Sequence, residues 1–122
     1  MRWCAEASYI WIANSGEGTV SKLCTLDGVE VGCVALVDNL RYGEIKRLFV
    51  HGSVRGAGLG RALMAALEDL ARDIGLKVLR LETGPELAEA VQLYDRLGYH
   101  KRERFGGYED LPCSLFMEKS LL

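Results

Sequence analysis

The sequence of 122 residues has no apolar run close to the roughly 20 residues that a membrane-crossing helix needs. Glu6 interrupts the most apolar part of its start, from Trp3 to Ala13. The start also lacks a basic segment followed by an unbroken apolar block and a small-residue cleavage site, so a secretory signal has no support. We therefore expect a soluble, cytoplasmic protein without a membrane partner.

A basic tail or basic cluster is missing as well. Lys and Arg are spread along the chain, and the net charge is −2. Proteins that bind DNA or RNA usually carry a basic patch that follows the phosphate backbone. No nucleic-acid partner is therefore expected.

The cysteines Cys4, Cys24, Cys33 and Cys113 form no C-x-x-C pair, which argues against a zinc or redox motif. We expect no metal. Cys24 and Cys33 fall in strand-like segments, where a small apolar side chain packs well, so we predict that most of these thiols are buried.

Internal repeats, linkers and low-complexity segments are also absent. Of the residues, 49% are apolar and 26% are charged, and the length falls in the range of one compact domain. We therefore predict a single domain over residues 1–122 with one hydrophobic core.

Runs rich in β-branched and apolar residues predict the strands. Asp27-Gly28 separates the first two runs and is typical of a hairpin turn. The third run is polar in its first half, which we expect to be partly exposed. The predicted strands are Thr19 to Leu26, Val29 to Val37, Tyr42 to His51, Val78 to Glu82, about Tyr99 to Phe105, and Cys113 to Leu121.

Two segments with apolar residues at three- and four-residue steps predict amphipathic helices. The first runs from Arg61 to Ile74 and is stopped by Gly75, and the second runs from Glu86 to Leu97 and is stopped by Gly98. The first helix lies between two strands, so this part of the chain is predicted to form a βαβ unit.

A glycine-rich segment, Arg55-Gly56-Ala57-Gly58-Leu59-Gly60-Arg61, opens the first helix. The first N–H groups of a helix lack intrahelical partners and carry the positive end of the helix dipole, so they attract a phosphate. Such glycines can also simply make a tight turn. Three glycines at alternate positions exceed what a turn requires, and the two arginines suit a diphosphate, which favours phosphate binding.

Two common phosphate sites are excluded by this segment. A P-loop requires Lys followed by Ser or Thr after the glycines, and neither pair follows here. A dinucleotide fold would need its third small residue at the position of Arg61, although Glu82 lies about where a ribose-binding acid would stand. The chain is also too short for the several βαβ repeats of that fold.

The pattern Arg55-x-x-Gly58-x-Gly60 resembles the Q/R-x-x-G-x-G/A motif of the GCN5-related N-acetyltransferases, of small bacterial type. It follows Leu48-Phe49-Val50 and opens a helix, as in that family. The run from Ala90 to Tyr99 is similar to the family's A-x-x-L-Y-x-x-x-G-F/Y helix. The resemblance spans about Val29 to Lys119, including Leu81 to Gly84 and the closing segments Tyr108 to Asp110 and Ser114 to Lys119.

The resemblance implies an α/β fold with a mixed, mostly antiparallel central sheet, one parallel pair and flanking helices. It implies acetyl-CoA as cosubstrate in a split between the two central strands. The diphosphate would lie on the backbone of Arg55 to Arg61, while Leu48, Phe49 and Val50 would border the pantetheine arm like a neighbouring strand.

The resemblance also implies direct transfer of the acetyl group to a primary amine, without a metal or a covalent enzyme intermediate. Tyr94 would protonate the departing thiolate, unless it is simply a core tyrosine. A backbone N–H near Val50 would hold the oxyanion. The general base is expected to be Glu44, whose alternative is a solvated strand residue paired with Lys46 or Arg47.

The acceptor side departs from the family pattern. Glu82 and Tyr108, together with Glu109, are candidates for binding a small-molecule or peptide amine that the sequence does not identify. The family's usual N-terminal strand and two helices are shortened, so either Met1 to Asn14 forms a cover as one helix or strand, or a homodimer partner closes the site. Leu87 replaces a polar Asn or Gln that faces the cofactor in many relatives. A non-catalytic acyl-CoA-binding or regulatory module is the alternative function.

Overall fold

The computed structural model describes residues 7–14, 19–26, 29–52, 58–109 and 111–122. These residues form one sheet of seven strands and two helices. The elements are β1 (Ala7–Asn14), β2 (Thr19–Leu26), β3 (Val29–Asp38), β4 (Gly43–Val50), α1 (Leu59–Asp73), β5 (Val78–Thr83), α2 (Ala88–Arg96), β6 (His100–Arg102) and β7 (Leu115–Ser120).

The strands lie in the order β1-β2-β3-β4-β5-β7-β6. Only β4 and β5 pair in parallel among the described strands, and α1 connects them. A parallel pair needs a crossover connection, and a helix supplies it. The predicted mixed sheet with one parallel pair at the βαβ unit is therefore confirmed.

The N-terminal segment contributes β1, which pairs antiparallel with β2 from Asn14 opposite Thr19 to Ala7 opposite Leu26. Of the two forms expected for residues 1–14, a helix or a strand, the described part is a strand. The predicted hairpin of β2 and β3 is also formed, with Leu26 opposite Val29. Neither described helix is long and apolar enough to cross a bilayer.

The core lies between α1 and one face of the sheet. Burial of each large apolar side chain in such a core contributes about 1.5–3 kcal/mol, which holds the helix on the sheet. Residues of α1 at three- and four-residue steps supply one side, and alternate strand residues supply the other. The cluster includes Leu59, Leu63, Met64, Leu67 and Ala71 of α1, with Val34, Leu36, Ile45, Leu79 and Leu81 of the sheet.

The predicted helices overlap the observed ones but differ at their starts. Helix α1 begins at Leu59, before Arg61, because Gly58 at φ 87° forms the turn that leads into it. Helix α2 begins at Ala88, after the predicted Glu86, because Pro85 and Glu86 belong to the preceding turn.

The last strands are also shorter than predicted. Strand β6 ends at Arg102, since the chain then turns so that Phe105 can bury its ring on the sheet. Cys33 is half-buried, whereas Cys113 is exposed on the segment before β7. The side chain of Cys24, and Cys4 as a whole, lie outside the described residues.

Candidate active site

The sheet splits between its two parallel strands. The β4–β5 pairing covers only Gly43–Ile45 with Leu79–Leu81, although β4 continues to Val50 and β5 to Thr83. Opposite β3, Arg47 and Leu48 of β4 stand against the single residue Val34, which makes a β-bulge. A bulge bends its strand and increases the twist, so β4 diverges from β5 after this point.

The split opens into a cleft of about 710 Å³ at the start of α1. This volume lies within the range of small-molecule and cofactor sites. The lining is mostly apolar, with two arginines and two glutamates at its rim. The lining residues are Leu48, Phe49, Val50, Gly58, Leu59, Gly60, Arg61, Glu86, Leu87, Ala88, Glu89, Ala90, Leu93 and Arg96.

The start of α1 is arranged for an anion. Its N-cap is Gly58, no described side chain caps it, and its first turn contains no acidic residue. Arg61 occupies that turn instead, although a cation is disfavoured beside the positive end of a helix dipole. A negative ligand in the cleft would therefore satisfy both the N–H groups and the arginine.

The two glycines of this turn, Gly58 and Gly60, are required for different physical reasons. A Cβ built on Gly58 would meet no atom of the described residues within 4 Å, so the glycine is required by its left-handed backbone, at φ 87°. A Cβ on Gly60 would stand 3.1 Å from Cδ2 of Leu93, so this glycine allows α1 to approach α2 closely. The predicted residues Arg55, Gly56 and Ala57 lie outside the described residues.

Tyr94 lies on α2 next to the cleft, in the same helix as the lining residues Ala90 and Leu93. Its side chain is buried, and its ring meets that of Tyr99 edge to face at 5.9 Å. Tyr94 itself is not among the residues that line the cleft. Burial raises the pKa of Tyr94 to about 12, so the hydroxyl keeps its proton at neutral pH.

Glu44 lies on the sheet face away from α1, and it is only 6% exposed. The expectation that this half of the strand is partly exposed is therefore wrong for Glu44. Tyr108 covers the Glu44 carboxylate, and its hydroxyl donates a hydrogen bond to Oε2 of Glu44. The ammonium of Lys46 stands 3.9 Å from the same oxygen, so the expected Lys46 pairing exists beside a buried carboxylate.

Three residues predicted for the acceptor side lie near one another. Strand register places Glu44 beside Arg80 and Glu82 beside Phe116, so both carboxylates share the face that Tyr108 covers. Burial raises the pKa of Tyr108, and the hydrogen bond and charge of Glu44 and the charge of Glu82 raise it further.

Glu82 is half-buried and accepts a hydrogen bond from Oγ of Ser114 at 3.1 Å. Glu109, in contrast, is exposed. The described part of the acceptor face therefore presents two partly or fully buried carboxylates on either side of a protonated tyrosine.

An aromatic cluster that sequence reasoning missed supports this face. The Phe105 ring meets the rings of Tyr42, Tyr108 and Phe116 edge to face at 5.4, 5.5 and 5.6 Å. The guanidinium of Arg80 lies 4.4 Å from the Tyr42 ring centroid. This packing holds the loop between β6 and β7 against the sheet and so positions Tyr108.

A charge cluster on Glu118 anchors the same region. Its Oε1 accepts from Arg80 at 2.7 Å and from Arg102 at 2.9 Å. Burial alone would raise the pKa of Glu118, but the Arg80 hydrogen bond and the charges of Arg102, Arg80 and His100 hold it below its usual value. Arg80 and Glu118 stand opposite each other in paired strands, a cross-strand signal that only the register reveals.

The cleft also contains residues that the sequence did not single out. Arg96 lines it one helical turn after Leu93, and Glu86 and Glu89 line it at the start of α2. The three- and four-residue spacing of this face of α2 is the signal that could have included Arg96. Leu87, the N-cap of α2, is 54% exposed and lines the cleft without a polar side chain.

The mixed sheet splits beside the start of its crossover helix. This arrangement places the protein in the class of acetyltransferase folds. A family model described as Acetyltransferase (GNAT) family matches residues 2–99. The chain belongs to the GNAT family of acetyltransferases.

Individual relatives agree with this assignment. Over 96 residues the chain is 46% identical to the IAA acetyltransferase of Azospirillum brasilense, with 77% of this chain and 63% of that protein covered. The chain thus spans less than two thirds of that relative.

Solved structures show the same fold. A Klebsiella pneumoniae protein assigned as an acyl-CoA N-acyltransferase has a TM-score of 0.82 and 40% identity, over 86% of this chain and 74% of that chain. The PaiA N-acetyltransferase of Thermoplasma acidophilum, solved in complex with coenzyme A, has a TM-score of 0.75 and 17% identity, over 84% and 61% of the two chains.

Proposed function

We propose that the chain is an N-acetyltransferase that moves the acetyl group of acetyl-CoA to a primary amine by direct transfer. The observation that carries the proposal is the cleft between β4 and α2, which opens at the start of α1, where no described side chain caps the helix. Family membership supports the same reaction.

The cleft residues fit coenzyme A by their chemistry. The N–H groups that follow Gly58 and the guanidinium of Arg61 suit a diphosphate. The edge of β4 from Leu48 to Val50, no longer paired with β5, suits the amide-containing pantetheine arm, which can bind as an added strand does. Acetyl-CoA would supply the activated acetyl group at the inner end of the split.

Two side chains then move protons. Glu44 takes a proton from the acceptor ammonium, directly or through the Tyr108 hydroxyl or a water. The amine forms the new C–N bond, a backbone N–H near Val50 holds the oxyanion, and the C–S bond breaks. Tyr94 gives its proton to the departing thiolate, and its pKa of about 12 keeps that proton available at neutral pH.

The acceptor is proposed to be a cationic amine, carried by a small molecule or a peptide. Glu44 and Glu82 supply negative charge around Tyr108, and this charge attracts an ammonium and orients it toward the base.

We also propose that the chain dimerises, because β1 stands at the edge of the described sheet and edge strands readily pair. Sedimentation velocity tests this, and a monomeric mass would refute it.

The experiment is an acceptor screen with purified protein, acetyl-CoA and a panel of 2-phenylethylamine, spermidine, kanamycin and an alanine-terminated peptide. Release of free thiol reports transfer. Wild-type turnover is expected to fall by about two orders of magnitude in Tyr94→Phe while coenzyme A still binds. Binding without turnover of any amine in the wild type would instead assign the chain to a non-catalytic acyl-CoA-binding module.

A further inference from the structure

A carboxylate is buried on the apolar face of α1. Glu68 is only 7% exposed and lies among core residues of the same helix such as Met64 and Leu67. Burial of a charge is costly unless it is paired and hydrogen-bonded. The proposed reaction gives this residue no part, so its partners show what it does.

Two strong hydrogen bonds satisfy Glu68. Its Oε2 accepts from the hydroxyl of Tyr99 at 2.8 Å, and its Oε1 accepts from Nζ of Lys119 at 2.8 Å. Arg72 adds a weaker ion pair at 3.9 Å. The carboxylate therefore joins α1 to β7 and to Tyr99, which lies between α2 and β6.

Tyr99 is held at both ends. Its backbone N–H donates to the carbonyl of Tyr94 at 3.0 Å, and its hydroxyl reaches Glu68. Gly98, at φ 96°, makes the turn that brings the ring back under α2. The Tyr99 ring is 2% exposed and lies 5.6 Å from Nζ of Lys119, so it has a fixed position in the core.

Tyr94, in contrast, has no described hydrogen-bond partner at its hydroxyl, and desolvation alone raises its pKa. Its ring is packed in the core cluster, where it meets the Tyr99 ring edge to face at 5.9 Å. A proton donor must be held in a narrow range of positions to act on its target. The ring of Tyr99, itself held at both ends, is placed to supply such a restraint.

We propose that Tyr99, anchored by Glu68 and Lys119, is a positioning residue that holds the ring of Tyr94 in its proton-donating orientation. The proposal rests on the proposed function, in which Tyr94 is the proton donor. A phenylalanine at position 99 would fill the same space but would lack the bond to Glu68. The hydroxyl of Tyr99 is therefore the part of the side chain that this role requires.

A double-mutant cycle tests the proposal, with acetyl-CoA and the fastest amine of the panel above. Tyr99→Phe is expected to lower kcat about fivefold to tenfold in the wild type, with the KM for acetyl-CoA unchanged. In a Tyr94→Phe background the same change is expected to have no further effect, because the residue acts only through Tyr94.

Two outcomes would overturn the inference in different ways. A Tyr99→Phe change that lowers kcat by the same factor in both backgrounds would assign Tyr99 a structural role only, and leave the proposed function standing. A Tyr94→Phe variant with unchanged kcat would refute the role of Tyr94 in the proposed function, and the inference with it.

Glu68 offers a matched pair of variants. Glu68→Gln keeps an oxygen that accepts from Tyr99 and is expected to keep most of kcat. Glu68→Leu removes the acceptor and is expected to match Tyr99→Phe. Equal kcat values for Glu68→Gln and Glu68→Leu would contradict the anchoring role.

A readout without turnover completes the test. The ring-flip rate of Tyr94, measured by NMR on protein with labelled tyrosine rings, is expected to rise about tenfold or more in Tyr99→Phe. An unchanged flip rate in a folded Tyr99→Phe protein would overturn the proposal, whatever the kinetics show.

Discussion

Gly58 and Gly75 stand at opposite ends of α1 and provide a matched pair for testing the cleft. Their φ angles are 87° and 88°, and in the described part of the chain a Cβ at either position would meet no atom within 4 Å. Replacement by alanine therefore brings the same backbone strain, about 1–2 kcal/mol, at both ends. Both variants should lose a similar few degrees of melting temperature, roughly 3–8 °C.

Coenzyme A affinity should separate the two variants. A methyl group at position 58 would stand in the open cleft beside the first N–H groups of α1, where the diphosphate is proposed to bind. Loss of one charge-assisted hydrogen bond costs about 1.5–3 kcal/mol, so Kd should rise roughly 10- to 100-fold in Gly58→Ala. Gly75 lies beyond the other end of α1, a helix about 22 Å long, and Gly75→Ala should bind as the wild type does.

Isothermal titration calorimetry with coenzyme A at one ionic strength measures both effects. Melting curves on the same samples confirm that the two variants are destabilised alike. If Gly58→Ala and Gly75→Ala bind coenzyme A equally well, the start of α1 does not hold the diphosphate and the reasoning is refuted.

Three further predictions concern the chemistry, the pH dependence and the cofactor contacts. Glu44→Gln keeps an acceptor for Tyr108 but removes the base, so kcat should fall about 100-fold or more at unchanged acetyl-CoA affinity. An equal fall in Glu82→Gln would contradict the assignment of Glu44 as the general base. Because the folded state favours protonated Tyr94, its contribution to stability is complete below pH 10 and is lost between pH 10 and about 12. The raised pKa values of Tyr99 and Tyr108 lower stability at high pH in both proteins, so chemical denaturation should show that the wild type loses about 3 kcal/mol more than Tyr94→Phe over this range. Leu87→Asn adds a polar group to the cleft and should raise coenzyme A affinity about twofold to fivefold, as measured by calorimetry. Melting curves should show no loss of stability, since Asn is a favoured N-cap for α2.

The sequence predicted the elements whose signals are local. The three- and four-residue spacing of apolar residues in α1 indicates the face that the helix buries. In β5 the burial alternates from residue to residue, whereas in β3 it does not. The glycine at position 58 and the parallel pair around α1 follow from the same local patterns. Leu48, Phe49 and Val50 line the cleft, but they were named from the family resemblance and not from a local pattern, and their contact with coenzyme A stays a prediction.

The acceptor face was less predictable because its contacts join distant parts of the chain. The sequence indicates that Glu44 is an ordinary polar strand residue near Lys46. Its burial, however, depends on Tyr108, which lies 64 residues further along the chain. The packing of Phe105 against Tyr42 and Phe116 ends β6 early, and no local pattern reports it. The position of Tyr94 between the cleft and Tyr99 likewise follows from tertiary packing.

The most direct test of the central claim is the mapping of backbone amide shifts by NMR during titration with coenzyme A. If the diphosphate binds at the start of α1, the largest changes should occur at Leu59, Gly60 and Arg61 and along Leu48 to Val50, with little change at Glu118 on the far side of the sheet. Saturable binding whose largest changes lie elsewhere, or no change at all, would contradict it.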